Sequence, residues 1–423
     1  MEKIKKVLYI SYDGLTDPLG RSQILPYVVG LSEKGYRFTI LSFEKKNQYL
    51  SEKEKILEIN KQASINWQPL SFSQNPPLLS KIYDRWRMMR KAKKLHIENH
   101  YDIIHCRSYV AAETGLVLKK NFGTLFLFDM RGFWPDEKVD AGRWNQSTLW
   151  FRMVYRFYKR KEKRLLSESD AIITLTSAAK KYLCEQPLYS QLNISVIPCC
   201  ADLSYFDYTL FSNEQKEQLR LKLGIDYDKK IITYIGSTGG FYLTNEIFSF
   251  VKLLLITNPN YFLLFITKDE PIKIINEAIA AGITQELFHI CAVSREDVPL
   301  YLSITDVSIF FIKPTFSKIA SSPTRHAELM SMGIPVICND IGDTGKIIEE
   351  SGTGILIQEF SKAKYNLAIY RLPELLKVNK EKIREYAFKY FNHKEGVEKY
   401  SIVYKQLLEI DNKCNQKNFF VNI

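Results

Sequence analysis

Three cations and a carboxylate in apolar company gather in a single stretch of the sequence, FFIKPTFSKIASSPTRHAELMSMGIPVICND (Phe310–Asp340). Lys313, Lys318 and Arg325 lie close to Ser322, Pro323 and Thr324, and Glu328 follows among Ala327, Leu329 and Met330. Ser322 suits an N-cap, and Pro323 the first helical position, where its missing N–H costs nothing. Gly333 then ends the helix and Pro335 opens a strand. Amides at such a helix start, with three cations nearby, suit a diphosphate. Glu328 is more than a turn into the helix and could accept both hydroxyls of a ribose. The plainer reading is an exposed glutamate on a surface helix.

Three other places carry weaker chemistry. SYDGLTDPLGRSQ follows the first apolar run, with Gly14 and Gly20 allowing close backbone approach and Ser22 able to cap a helix, an arrangement that suits an anion. IGSTGGFY (Ile235–Tyr242) repeats the design later in the chain, with Gly236 and Ser237 at its start. FDMRGFWPDEK (Phe128–Lys138) puts Asp129 and Arg131 at a strand end, where the carboxylate could orient a hydroxyl and the guanidinium could meet a phosphate. His105 ends the run DIIH in the same way. Each has a bland counterpart: a tight turn, an Asp–Arg pair that stiffens a loop, a hydrogen-bonded core histidine.

These residues need strands and helices to hold them. Apolar, β-branched runs alternate with amphipathic segments throughout: Val7–Ser11, Phe38–Ser42, Ile103–His105, Leu125–Phe128, Ala171–Thr174 and Ile194–Ile197, then Ile231–Ile235, Tyr261–Thr267, His289–Val293, Val307–Ile312 and Pro335–Asn339. Without in/out alternation, such runs read as parallel strands covered on both faces. Two series of βαβ units predict an α/β protein of two doubly wound, Rossmann-like domains, with ligands at the carboxyl ends of the strands. The break falls at IPCCADLSYF, giving domains over residues 1–200 and 201–390. The tail from Lys380 to Ile410 is expected to be amphipathic helix, and the last segment, 391–423, to fray over DNKCNQKNFFVNI.

At 423 residues, two cores are expected. The seven cysteines form no C-x-x-C pair and sit mainly in apolar runs, which suits a reducing, cytoplasmic setting. MEKIKKVLYISYDG reads as a first strand, not a signal peptide. No metal site is expected: Asp226-Tyr227-Asp228 precedes its strand and reads as a turn, and no His/Cys cluster has ligand spacing. Hydrolase elbows and Walker loops are missing from the sequence as well. A net charge of +12 favours anionic partners, but no nucleic-acid-reading motif occurs, so nucleic acid is not expected. Two basic-aromatic stretches, Lys81–His96 and Leu149–Leu166, suit either a solvated helix face or the surface of an anionic membrane. Peripheral attachment through the second is the expectation.

SSPTRHAELMSMGIPVI resembles the donor signature of retaining GT-B glycosyltransferases of family 4, and VIPCCADLSYF resembles the family's interdomain segment. LYISYDGLTDPLGRSQILPY and FDMRGFWPDE resemble a bacterial subgroup associated with surface polysaccharides. The resemblance implies a ligand cleft between the two domains and a last helix crossing back to the first. It implies that Glu328 binds the nucleotide ribose, that the Ser322–Thr324 helix start meets the diphosphate, and that the first domain takes the acceptor. A nucleotide-sugar, expected to be a UDP-sugar, would be the donor; no cofactor is implied. A glycan or lipid-linked oligosaccharide would be the acceptor, with transfer of the hexosyl type on the inner face of the cell membrane. The competing readings are a sugar-nucleotide epimerase and a non-catalytic scaffold. This chain departs from the family at Ala320, where a glutamate is usual, and at Ser237–Tyr242, which lacks the usual Arg and Lys. Lys313, Lys318 and Arg325 are expected to supply that charge.

Overall fold

The computed structural model describes residues 4–421 and divides into two compact units, residues 1–198 with 393–423, and residues 199–392. The first contains seven strands: β1 (Lys5–Ser11), β2 (Tyr36–Glu44), β3 (Asn66–Ser71), β4 (Ile103–Arg107), β5 (Leu125–Asp129), β6 (Ala171–Thr174) and β7 (Ile194–Val196). They form one parallel sheet in the order β3-β2-β1-β4-β5-β6-β7. The second contains β8 (Lys230–Ile235), β9 (Tyr261–Ile266), β10 (Phe288–Cys291), β11 (Val307–Phe310), β12 (Val336–Cys338) and β13 (Gly354–Leu356). These are parallel too, ordered β10-β9-β8-β11-β12-β13. Both are doubly wound α/β sheets.

Central strands are buried on both faces, which is why they read as continuous apolar runs: every side chain of β4, β5 and β9 is buried. The two strands without an apolar run, β3 and β13, lie at sheet edges. β3 reads NWQPLS; its proline is tolerated because an edge strand has one row of amides unpaired. β13 is only three residues long and begins with glycine. Hydrophobic pattern weakens where burial is one-sided.

Helices fill the connections, and nine position the residues of interest: α1 (Pro18–Gln23), α2 (Leu25–Glu33), α3 (Pro77–Asn99), α4 (Ser108–Phe122), α5 (Leu149–Glu168), α6 (Thr244–Thr257), α7 (Thr324–Ser331), α8 (Lys380–Phe391) and α9 (His393–Val421). The expected single helix near the C-terminus is two, broken at the extended residue Asn392. α9 returns to the first unit and packs on α2 and β5. It continues to Val421 instead of fraying from residue 411, while Asn422 and Ile423 lie outside the described residues. Among the described residues no helix is long and apolar enough to cross a membrane.

Candidate functional site

Strand order reverses between β1 and β4 in one sheet and between β8 and β11 in the other. Connections leave in opposite directions there, opening a crevice at the carboxyl ends of the strands. The chemistry-bearing residues collect at these two places, in very different states.

In the second unit, the loop after β8 lies against the segment after β11. Tyr242 bridges Ile312, the Leu243 amide donates to the Phe311 carbonyl (3.0 Å), and the Lys313 amide donates to the Phe241 carbonyl (2.7 Å). The Tyr234 hydroxyl donates to the Ser237 carbonyl, and the Thr238 amide to the Asp269 carboxylate. α6 therefore begins only at Thr244, after the loop has crossed to the neighbouring segment.

Arg325 reaches this loop from α7. Its guanidinium lies 5.0 Å from the Tyr234 ring centre and 4.4 Å from that of Tyr242. Gly236, at φ +130°, leaves the remaining space, because a Cβ there would collide with the guanidinium. Aromatic faces favour the planar cation, and Nη1 stays buried with no hydrogen-bond partner among the described residues. A buried N–H without a partner is costly, on the order of 1–3 kcal/mol, so this guanidinium holds an unmet capacity to donate. Lys318 is also buried, its ammonium 3.6 Å from the centre of the Phe241 ring, whereas Lys313 is exposed.

Glu328 is buried, and its Oε1 accepts from Arg295 Nη1 at 3.1 Å. Burial raises its pKa, against the pull of Arg295 and Arg325. Arg295 follows β10, a strand-end position that the reading from sequence passed over. The Tyr205 hydroxyl donates to its carbonyl (2.9 Å), and Phe206 packs beneath its guanidinium at 5.6 Å.

The expected cap is different. α7 starts at Thr324 with Pro323 as its N-cap residue, not Ser322, and no side chain caps it. The Ser322 hydroxyl instead accepts from the Cys199 amide (3.2 Å), so its oxygen is drawn away from the helix start. Gly333, at φ +65°, follows the helix as expected. Ala320 is buried.

In the first unit the corresponding crevice is closed from within. The Glu44 carboxylate, at the end of β2, accepts from the Leu15 amide (2.9 Å), the Thr16 amide (3.0 Å) and the Thr16 hydroxyl (2.5 Å). The chain's own anion thus occupies the loop expected to receive one. Ser22 sits inside α1 and bonds the Pro18 carbonyl (2.8 Å) instead of capping. Gly20 is buried against the Gly14 carbonyl, where any Cβ would clash, so packing by itself already asks for glycine there.

Asp129, His105 and Arg131 do come together, and they bring Arg107 with them. Parallel pairing sets Tyr9 beside His105 and Arg107 beside Asp129. Asp129 is fully buried; Arg131 Nη1 is 3.6 Å and Arg107 Nη1 3.9 Å from its oxygens. Tyr400 on α9 donates to it at 3.1 Å. Burial alone would raise the carboxyl pKa, yet Arg131, His105 and Arg107 hold it down to about 2. His105 is buried between Tyr9 and α9, its Nδ1 2.7 Å from the Tyr404 hydroxyl and its Nε2 3.6 Å from Asp129. Burial lowers its pKa, against the pull of Asp129. Arg131 adopts φ +60°, an uncommon conformation for a residue with a side chain, and its guanidinium turns back to the carboxylate. Arg107, two residues beyond His105 and so on the same side of β4, could have been found by strand alternation. Tyr400 and Tyr404 could not, because nothing local links them to β5.

The discounted D-x-D motif lies in the turn before β8, with the Lys229 amide donating to the Asp226 carbonyl (3.2 Å). Among the described residues no three His, Cys, Asp or Glu side chains are grouped to hold a metal ion.

Comparison with known proteins agrees with this architecture. The chain resembles sucrose-phosphate synthase from Thermosynechococcus elongatus at 15% identity and TM-score 0.68, covering 96% of this chain and 100% of that one. It resembles Anabaena HepE, solved with UDP and glucose, at 12% identity and TM-score 0.68, covering 95% and 99%. WaaG, a glycosyltransferase involved in lipopolysaccharide biosynthesis, is similar at 13% identity and TM-score 0.64, covering 92% and 98%. At these identities the likeness is one of fold, the two-domain GT-B architecture. No curated protein sequence matches. Two family models match in succession, Glycosyltransferase Family 4 over residues 27–205 and Glycosyl transferases group 1 over residues 215–390. The chain is a glycosyltransferase, a Family 4 domain followed by a group 1 domain.

Proposed function

We propose that the second unit binds a nucleotide-sugar, a UDP-sugar in the first instance, and that the sugar passes with retention to a glycan or lipid-linked acceptor in bacterial surface-polysaccharide synthesis. The observation that carries the reading is Arg325: a guanidinium clamped by Tyr234, Tyr242 and Gly236 at the switch point, with a buried N–H left to donate. Solved proteins of this fold include Anabaena HepE with UDP-glucose, which favours a UDP-sugar over other donors.

In this reading the diphosphate meets the start of α7, where the first amides of a helix have no partner within it. Arg325 and Lys318 stand at that end, with Lys313 and Ser237 on the facing segments, and they take the place of the basic residues missing from the loop after β8. Glu328 accepts the ribose hydroxyls through Oε2, while Arg295 holds Oε1 and opposes the upward pull of burial on the carboxyl pKa. As the glycosidic bond breaks, negative charge grows on the leaving diphosphate. Cations already fixed in place stabilise that charge more than the ground state, and this difference lowers the barrier. A front-face, retaining route asks for no strong base.

His105 and Asp129 then serve as positioning groups. Their burial keeps them from open contact with an acceptor, but they hold Arg107 and Arg131 at the strand ends. The guanidiniums are the groups we assign to the acceptor side.

A thermal-shift panel of UDP-, GDP- and other nucleotide-sugars tests the donor assignment, since a ligand that binds only the native state raises the melting temperature. A UDP-sugar should give the largest shift, and Arg325→Ala and Glu328→Ala should abolish it. Unchanged shifts in both variants would reject the site. Donor consumed without any acceptor would favour an epimerase.

A further inference from the structure

Charge and exposed apolar surface are concentrated together on two helices of the first unit that the donor chemistry does not use. α3 and α5 carry fourteen Lys and Arg against four Asp and Glu, so ten of the chain's twelve net positive charges sit on these two segments. Elsewhere the chain is nearly neutral.

The two helices form one platform. Both pack on α4, whose Glu113 forms ion pairs with Lys161 of α5 (2.9 Å) and Arg85 of α3 (3.7 Å). Arg85 also donates to the Tyr158 hydroxyl at 3.2 Å, joining α3 directly to α5. Inward-facing residues do the packing: Asp84, Met88 and Ala92 of α3, and Glu162, Leu165 and Leu166 of α5, are buried.

The outward faces are unusual. On α3, Leu79, Ile82, Tyr83 and Trp86 recur at helical spacing and are each more than half exposed. On α5, Leu149, Trp150, Met153 and Phe157 are exposed to the same degree. Cations lie among them: Arg90 is 5.4 Å from the Trp86 ring centre, and Lys161 4.7 Å from that of Phe157. Arg156, Arg160 and Lys163 project from α5 and form no ion pair among the described residues. The exposed large side chains of the second unit, by contrast, number at most two on any one element.

We propose that α3 and α5 together are a docking face for an anionic lipid bilayer, with the aromatic and aliphatic side chains entering the headgroup boundary and the cations pairing with lipid phosphates. This goes beyond attachment through residues 149–166 alone, because the apolar row on α3 is part of the same platform. It is independent of the donor-site reading. Two other occupants fit less well. A second copy of the chain would bring ten like charges against ten. A nucleic acid would use the cations and rings but leave Leu79, Ile82, Leu149 and Met153 without a role, whereas lipid tails accept them. Anionic headgroups attract the cations over roughly one Debye length, about 8 Å at physiological salt, so binding must weaken with salt.

Sedimentation of the full chain with phosphatidylcholine vesicles, with and without phosphatidylglycerol, tests the proposal. Binding should require phosphatidylglycerol and fall sharply at high salt. Trp86→Ser with Ile82→Ser, on α3 alone, should reduce it at least tenfold, as should Arg156→Glu with Arg160→Glu and Lys163→Glu on α5. Melting temperature and donor-induced shift are the controls for folding and stay as in the parent. Equal binding to neutral vesicles overturns the proposal. So does full retention in the α3 variant, which would leave α5 as the only contact. Loss of a dimer in the same variants, or tighter binding to single-stranded RNA than to vesicles, would assign the face to that occupant instead.

Discussion

The two sheets place arginines at the ends of their central strands, but they treat them in opposite ways. In the first unit, Arg107 and Arg131 face a fully buried carboxylate, Asp129, which two tyrosines and a histidine enclose. In the second, Arg325 faces aromatic rings and a glycine, and among the described residues no carboxylate lies within ion-pair distance of it, although Glu328 is near enough to feel its charge. Both arrangements bring cations to a crevice, yet the first meets most of its own demand. What differs is the partner: an internal anion makes a structural unit, and π faces hold a cation without neutralising it.

The largest effect expected from this contrast is on stability. Asp129→Ala removes the buried carboxylate that Arg107 and Arg131 both face, leaving Arg107 only its 3.6 Å pair with the half-exposed Asp13, and should cost about 3–5 kcal/mol, read by denaturant unfolding. A loss below 1 kcal/mol would mean that the carboxylate is not what holds the two guanidiniums in place.

Buried histidines give the next test. His326 lies between Phe310 and Phe391 with neither ring nitrogen bonded, and burial lowers its pKa to about 4. Above its ordinary value, near 6.5, native and unfolded chains both hold it neutral and it contributes nothing to the pH dependence. Below that value the unfolded chain takes up a proton that the native state refuses until about pH 4. Stability is therefore lost as pH falls through this window, by on the order of 3 kcal/mol. His326→Leu should flatten thermal melts between pH 6.5 and 4 relative to the parent. His105→Leu would not, because it also breaks the cluster around Asp129.

A smaller effect is expected at Gly236. Alanine there would push the Arg325 guanidinium off its rings, and donor affinity should fall about tenfold, or roughly 1.4 kcal/mol, in a titration. Unchanged affinity would separate Arg325 from donor binding. At the bottom of the scale, the exposed Arg164–Glu168 pair on α5, 3.1 Å apart, should contribute less than about 0.5 kcal/mol. Arg164→Ala is thus a blank for the charge variants.

Much of the fold was legible because doubly covered strands have a one-letter signature: β8, β9 and β11 announce themselves as KIITYI, YFLLFI and VSIF. β3 and β13 did not, since edge strands bury less and tolerate Pro and Gly. Of the site, Glu328 and Arg325 were visible as polar residues in apolar company on a helix. Arg295 was not weighed, though it follows a strand just as they follow one. Ser22 and Ser322 show the limit of capping rules: both had the right residue type, but one hydroxyl turned to its own helix and the other to a distant amide.

The amino-acid order alone determined the two parallel sheets, the concentration of positive charge on two segments, and the glycine-rich strand ends, because periodicity and residue type are local quantities. Tertiary structure decided which charges are spent internally. Glu44 closes over the loop after β1, Tyr400 and Tyr404 arrive from α9 to enclose Asp129 and His105, and Arg325 finds its rings 91 and 83 residues upstream, at Tyr234 and Tyr242. Such pairings depend on burial and on distances through space, which a linear order of residues does not contain.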